Sequence, residues 1–577
     1  MIIRLLSLLL AVVLVATPGV QAQSSGGNDG NSYVAPATMS ELSQRGVSLK
    51  LDVITPTKGL ASSIADLLRD GQYAKTLNNL QMLRRGVWST RGTGWAKHAN
   101  TQHNSGATIL ELQPYTDSSG TKKMLFRAGS IYYDYNIGTQ TATSIGTGFS
   151  ATDVPCIRVY GRPTYAGPIN VFFADGTHEL QKWTGTGSMA ASSYFPLTVG
   201  GRTFTKPKFL EEFQGRQAMA GFSTYSNSVL LTNASSYEAA TISSPQADTD
   251  GGWLDVPNIL GPITGLRTLR LNTNDTILIV GCENGVAMVT GTGALTFQVK
   301  EITREFGIVS NRTWVQAQND LYFLATDGVR SFSTSSIAGL LNLRKTALVQ
   351  DVVNRLNKTY QAKSFAFFYP STLEAQFWFP IDSDTTPQNA IIANFNTRDP
   401  NAQEDFNTNP IFSTKNGISP ACANVGAGTA YAGTTNGYIM TMYTGDTYDG
   451  SAINWQFVSA LMGSNSPAQN GSNRKFVIMT EGGDQSFTAT AYTLTTMSDN
   501  NTKWTQQDSR ALTASGSSVT DVGTWATGTT TTFPKLMDFD SRGSGRFWAL
   551  KLAGSSTSNH IDLVGVQSIL TVGGLRQ

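Results

Sequence analysis

At 577 residues the chain is too long for one compact core, so it must be either a large repeat-built domain or two to four ordinary ones. Charged residues make up only 14%, and 56 glycines with many Ser, Thr and Asn fill the polar positions, which is the composition of strands joined by tight turns. A net charge of +2, from 42 basic and 40 acidic side chains, excludes a general attraction for nucleic acid, so any DNA contact must come from local placement.

In chain order, Arg4 precedes an apolar run over 5–16, Pro18-Gly19 breaks it, and Val20-Gln21-Ala22 sets small residues where a signal peptidase cuts. Residues 1–22 are therefore expected to be a secretory signal; the run is too short for a transmembrane helix, and the competing reading is an uncleaved arm packed on a neighbouring subunit. A flexible linker or arm is expected over 23–50, where Ser, Gly and Asn dominate the first half. Residues 51–100 read as an N-terminal interaction segment. Within it Ile64, Leu67, Leu68, Leu77, Leu80 and Leu83 have partial helical spacing broken at Asp70-Gly71, predicting short helices or a loop clamped by those leucines. Arg84, Arg85 and Arg91, interleaved with Trp88 and Trp95, form the best basic and aromatic cluster and are the candidate contact for a partner subunit or DNA. The alternative is a basic strand edge that discourages aggregation.

From 101 to 445 one unit keeps returning: an apolar strand, a turn centred on Gly or Asn, and a second strand with aromatic or β-branched residues. The clearest copies turn at Asp175-Gly176, Asn284-Gly285, Asp327-Gly328 and Asn436-Gly437. Weaker ones lie at Gly129, Asn233 and Pro370-Ser371, giving separations of about 43 to 65 residues, close to a propeller's blade period. The expected fold is mainly β: a β-propeller-like array of antiparallel hairpins with six or seven blades, few short helices, and an additional C-terminal β-rich domain over 446–577. A helical insertion is expected near 343–360, where Leu348, Val352, Val353 and Leu356 share a face. The competing architecture is a pair of β-sandwiches, which space their turns more closely.

No catalytic constellation stands out. A phosphate loop, HExxH and GxSxG with its partners are all absent, and four histidines limit His-dependent chemistry. Cys156, Cys282 and Cys422 are too scattered for a disulfide framework or zinc site and read as buried thiols. His98 and His103 lack a third ligand nearby and read as solvent-facing loop residues. Asp175 and Asp327 are turn formers before Gly. The Asp248-Asp250 and Asp446-Asp449 turns lack the closing Glu of a calcium loop. The expectation is a non-enzyme with no cofactor and no metal.

Several stretches resemble the tail nozzle, or tail tubular, proteins of short-tailed bacteriophages, and more loosely the packaged-DNA stabilisation proteins that plug the same portal. Near the start these are Gly59-Leu60, Leu77-Asn78-Asn79, Arg84-Arg85-Gly86 and Arg91-Gly92-Thr93-Gly94; Ala61-Ser62 departs from the Asn and Arg expected there. In the middle, Phe306-Gly307-Ile308-Val309-Ser310-Asn311-Arg312 leads to Leu321-Tyr322-Phe323-Leu324 and Asp327-Gly328-Val329-Arg330. Later, the hairpin over 365–379, Ala390-Ile391-Ile392 and Gly437-Tyr438-Ile439 continue the likeness, which covers 50–570. It implies a structural virion protein, a propeller-containing subunit of a homohexameric ring below the portal and adaptor, which retains the genome and conducts DNA during ejection. The implied partners are other copies of itself, portal, adaptor and further tail proteins, and viral DNA, with the host surface a candidate contact. The signal-like start supports a rival: a secreted or periplasmic propeller that binds glycan or protein, or a glycan hydrolase on that scaffold.

Overall fold

The computed structural model describes residues 48–577 apart from 65–68, 70, 161–168, 235, 272–275, 319, 334–340, 396–409, 464–470, 484, 495–503, 514–534, 540–542, 546, 557–559 and 573–577. The expected signal at 1–22 and nearly all of the expected linker at 23–50 lie outside the described residues, as do Leu67, Leu68 and Asp70.

Five four-stranded antiparallel sheets follow one another, each continuous in sequence. They run from Ile109–Thr116 to Thr141–Gly146, Cys156–Tyr160 to Ala190–Ala191, Phe209–Phe213 to Gly252–Asp255, Ile263–Arg270 to Gln298–Thr303, and Val315–Ala317 to Leu341–Arg344. A sixth runs from Phe365–Tyr369 to Ile411–Asn416. The seventh has three strands of its own, Pro420–Gly426, Thr429–Thr434 and Ile439–Met442. Its fourth is Trp95–Lys97, from before the first sheet, with Ala96 opposite Thr441.

These sheets are the blades of a closed β-propeller, because each buries its faces against its two neighbours and the last meets the first. Leu125 and Tyr132 of blade 1 pack with Val171 and Phe173 of blade 2. Phe172 of blade 2 meets Leu210 and Met219 of blade 3; Val229 of blade 3 meets Leu278 and Val280 of blade 4. Ile277 and Ile279 then join Phe323 and Phe332 of blade 5, and Tyr322 and Leu324 join Phe377 and Ile391 of blade 6. Trp378 of blade 6 packs with Ala432 and Met440 of blade 7. Cys422 and Tyr431 of blade 7 complete the cycle on Ile109 and Phe126 of blade 1. Two separate sandwiches would not produce such a cycle.

Position within a blade explains the strand sequences. A second strand is covered on both faces and is buried almost end to end, as in the apolar run of Thr276–Cys282 and in Glu374–Phe379, where even Glu374 and Gln376 are buried. Outermost strands Thr141–Gly146 and Gln298–Thr303 are largely exposed and polar. The Asp-Gly and Asn-Gly turns at 175, 284, 327 and 436 all join second to third strands, and Gly176 takes the left-handed φ of +79° that its turn needs. Two expected turn centres are displaced. In blade 3 the equivalent turn falls between Arg216–Ala220 and Ser228–Leu231, before Asn233, and Pro370-Ser371 joins the first and second strands of blade 6. Gly307 serves close approach instead: a Cβ there would lie 1.7 Å from the Glu283 carbonyl oxygen of blade 4.

The C-terminal β-rich region is a sandwich that recruits the chain's start. One sheet is ordered Gln81–Arg84, Val87–Ser89, Ile561–Val572, Gly471–Gly483, Lys535–Phe539, with Ser48–Ile54 also on Ile561–Val572. The other runs from Ala74–Asn78 through Ser451–Ser459 and Phe547–Ser556 to Ser486–Leu494 and Trp504–Thr513. Ala74–Asn78 also lies parallel to Ile411–Asn416, so this sheet continues blade 6. Trp88, Phe476, Ile478 and Leu563 of the first sheet share a core with Phe457, Ala489, Trp548 and Leu550 of the second.

Two expectations need correction. The leucine-bearing stretch 64–84, read as short helices or a clamped loop, instead supplies strands to both bodies, because Leu77, Leu80 and Met82 bury in the shared core. The helix near 343–360 shrinks to a 3-10 turn, Thr346–Val349, and one α-turn, Gln350–Val353. Leu341–Arg344 pairs instead with Gly328–Ser333 as the outer strand of blade 5, and of the expected apolar face only Val353 is fully buried.

The closing strand is fastened by its side chains as well as by its ladder. Trp95 is 1% exposed and sits edge-on to Trp378 and Tyr448, each at 5.8 Å. The buried Lys415 ammonium donates to the Thr93 carbonyl at 2.9 Å, while Glu374, deeply buried nearby, accepts from the Tyr443 hydroxyl at 2.9 Å. Replacing Trp95 with alanine leaves a cavity where the two chain ends of the propeller meet, and is expected to cost about 3–5 kcal/mol of stability in denaturant titration. An unchanged midpoint would mean that the closing strand is dispensable.

Candidate functional site

The five residues singled out from the sequence do not form one surface. Trp88 is wholly buried in the sandwich, its Nε1 donating to the Pro56 carbonyl at 2.9 Å, and Trp95 is the closing residue of blade 7. Arg91 pairs with Asp562 at 3.2 Å. Arg84 and Arg85 are exposed around the tight turn that precedes Val87–Ser89. Both tryptophans were legible as aromatic, but their burial depends on strands hundreds of residues away.

The histidines differ from expectation too. His103 is 5% exposed and packs on Phe126 with ring centres 4.7 Å apart, and burial lowers its pKa. His98 is half-buried between Tyr135 and Tyr431, so both fill the seam between blades 1 and 7. Cys156, Cys282 and Cys422 are buried free thiols whose pKa values burial pushes up. Asp175 is buried against Arg127 at 3.2 Å and accepts from the backbone N–H groups of Thr177 and His178. Asp327 takes the fork of Arg330 at 2.9 and 2.6 Å, and Asp250 accepts from Ser243 and Ala247. These acidic turns are engaged in holding loops. Among the described residues there is no group of three or more His, Cys, Asp or Glu able to hold a metal ion.

The structure does assemble a site that sequence reading missed, on the propeller axis. The first strands of neighbouring blades lie against one another there, around a cavity of about 320 Å³. Its walls include Glu111, Arg158, Arg267, Arg312, Gln316 and Phe368, from blades 1, 2, 4, 5 and 6 and the lead-in to blade 5. Arg312 acts as a bracket between blades. Its Nη1 donates to the carbonyls of Leu110 in blade 1 (2.7 Å) and Ala421 in blade 7 (3.1 Å), and its Nη2 to Lys363 ahead of blade 6 (2.7 Å). It also lies 3.5 Å from Glu111. Arg158 forms an ion pair with Glu211 and donates through Nε to the Leu210 carbonyl at 2.9 Å. Burial pushes the Glu111 carboxyl up to about 7, against the opposing pull of Arg312 and Arg158. A signal for this site did exist: Ile-Leu-Glu-Leu at 109–112, Cys-Ile-Arg-Val at 156–159 and Gly-Leu-Arg-Thr at 265–268 each set a charge amid a first strand.

The chain is thus a seven-bladed β-propeller joined to a β-sandwich made from both ends of the sequence. No protein-family model and no curated protein matches it. Among solved structures it is similar to Raptor from Chaetomium thermophilum, at 10% identity and TM-score 0.36, over 61% of this chain and 29% of that one. It is also similar to BBS1N, solved in complex with ARL6DN, at 10% identity and TM-score 0.38, over 61% of this chain and 97% of that one. A computationally designed protein, Ika8, matches at 10% identity and TM-score 0.31, over 60% and 98% of the respective chains. The propeller assignment rests on the closed cycle of blade contacts.

Two measurements probe the axis. Glu111 ionises near 4.5 when exposed and near 7 in the fold, so between those values the native state holds more protons than the unfolded chain. Its contribution to stability is therefore lost as pH rises through this window and is flat above it, and Glu111→Gln should reduce the difference in melting temperature between pH 5 and 7.5. An unaltered pH slope in that variant would remove Glu111 as its source. For the bracket, Arg312→Lys keeps the charge but cannot reach three carbonyls in a planar fork, and is expected to destabilise by about 3 kcal/mol, close to Arg312→Ala. Full rescue by lysine would show that charge alone matters.

Proposed function

We propose that this chain is a non-enzymatic structural subunit of a bacteriophage tail nozzle, assembling as a homohexameric ring below the portal and adaptor to retain and then conduct the genome. The observation that carries this reading is the resemblance of 306–332 to that family, a run that here forms the entry to blade 5 and includes the bracket residue Arg312. A rigid propeller fused to a sandwich suits a subunit that must hold its shape under the load of packaged DNA, since its parts share one continuous core. Near-neutral charge also suits a conduit: walls dense in Lys and Arg would hold phosphates through counterion release and stall passage. Arg312 and its neighbours narrow the propeller axis to a cavity of about 320 Å³, so the DNA path in this reading runs between subunits. Exposed Arg84 and Arg85 remain the candidate contact with DNA or a partner.

The signal-like pattern at 1–22 favours a second reading, a secreted or periplasmic propeller that binds glycan or protein. Electron microscopy of the purified full-length chain separates the two. The tail reading expects sixfold rings with an open lumen and, in virions, density below the portal. Monodisperse monomers that bind a sugar, with native mass lowered by loss of the first 22 residues, would replace it with the secreted reading.

A further inference from the structure

The axial cavity has an imbalance that the contacts around it do not resolve. Three guanidinium groups and one carboxylate line it. Arg158 is neutralised by Glu211, and Arg312 is engaged by Glu111 and three carbonyls. Arg267, from the first strand of blade 4, has neither a hydrogen bond nor an ion pair among the described residues, and its surroundings desolvate it enough to lower its pKa. Gln316, exposed on the first strand of blade 5, also lines the cavity, so its amide is free to donate there. Glu111 Oε2 and Arg312 Nε are buried there without hydrogen bonds. Arg267 is half-buried, and the Glu211 carboxylate that pulls on it is already paired with Arg158, so the walls carry more positive than negative charge and the Arg267 guanidinium is placed to meet an anion in the cavity.

We propose that the axial cavity binds a small multivalent oxyanion, of the sulfate, phosphate or dicarboxylate class, through the Arg267 guanidinium, with Gln316 as a second donor and the Arg158 and Arg312 charges behind them. The planar fork of arginine matches two oxygens of such a group, which a halide cannot offer. The volume, about 320 Å³, is equivalent to about ten waters, which suits a small ion. Glu111 sets the pH dependence: protonated, it withdraws the one negative charge lining the cavity, so binding strengthens below about 7. Other titratable groups facing it are Cys156 and Cys422, both held neutral by burial, and Glu211, which is committed to Arg158. The site is independent of the tail reading, because a monomeric propeller would carry it equally.

The test is calorimetry and thermal shift on the full chain with sulfate and with succinate, against chloride at matched ionic strength, at pH 6 and 8. At least one oxyanion is expected to bind saturably in the micromolar to millimolar range where chloride does not, and sulfate, which keeps its charge across this range, should bind more tightly at pH 6. Arg267→Gln should weaken binding at least tenfold, with the ligand-free melting temperature near that of wild type. Glu111→Gln should bind sulfate equally at both pH values. Absence of saturable binding by either oxyanion, or equal affinity in Arg267→Gln, overturns the proposal. Should Arg267→Gln fail to fold, sulfate affinity in wild type decides: tighter binding at pH 6 that Glu111→Gln abolishes supports the site, and pH-independent binding rejects it.

Discussion

A propeller exists only if its last blade meets its first, and here that closure depends on three residues. Blade 7 lacks an outer strand until Trp95–Lys97 pairs with Ile439–Met442. The pairing joins segments more than three hundred residues apart, so its entropic cost is set by one long loop, which grows only slowly with length. Its benefit is regained around the whole cycle, since every blade buries both faces only in a closed ring. Lys415, donating to Thr93, ties the approach to this strand onto blade 6. His98 and His103, just beyond it, seal the seam with blade 1.

The same N-terminal segment also couples the two bodies. Before reaching blade 7 the chain lays Ala74–Asn78 between blade 6 and the sandwich, and Gln81–Arg84 and Val87–Ser89 into the sandwich's other sheet. One apolar cluster therefore runs from blade 5 through blade 6 to the sandwich core. Forces applied to one body pass to the other through close-packed side chains and a continuous sheet, not through a linker.

On the axis the balance is electrostatic. First strands crowd together there and bring charges from different blades around one cavity. Arg312 relieves the crowding by satisfying carbonyls of blades 1 and 7 and of the approach to blade 6, Arg158 is matched by Glu211, and Arg267 is left over. Glu111, deep among them, is poised between charge states near neutral pH.

Local chemistry was readable from the sequence. The Asp-Gly and Asn-Gly turns, the largely apolar second strands and the scarcity of charge determined a mainly β chain of repeated hairpins, because turn conformation and strand burial act within a few residues. Where the turn signal was weak, at blades 3 and 6, the spacing was misplaced. Only tertiary structure decided that Trp88 and Trp95 are core residues of different bodies, that 341–344 is a strand, and that the sandwich is drawn from both ends. It alone brought Glu111, Arg158, Arg267 and Arg312 together. Each of these outcomes is a pairing between distant segments, whose free energy comes from burial in the closed ring, and no local pattern encodes which distant strand will be the partner.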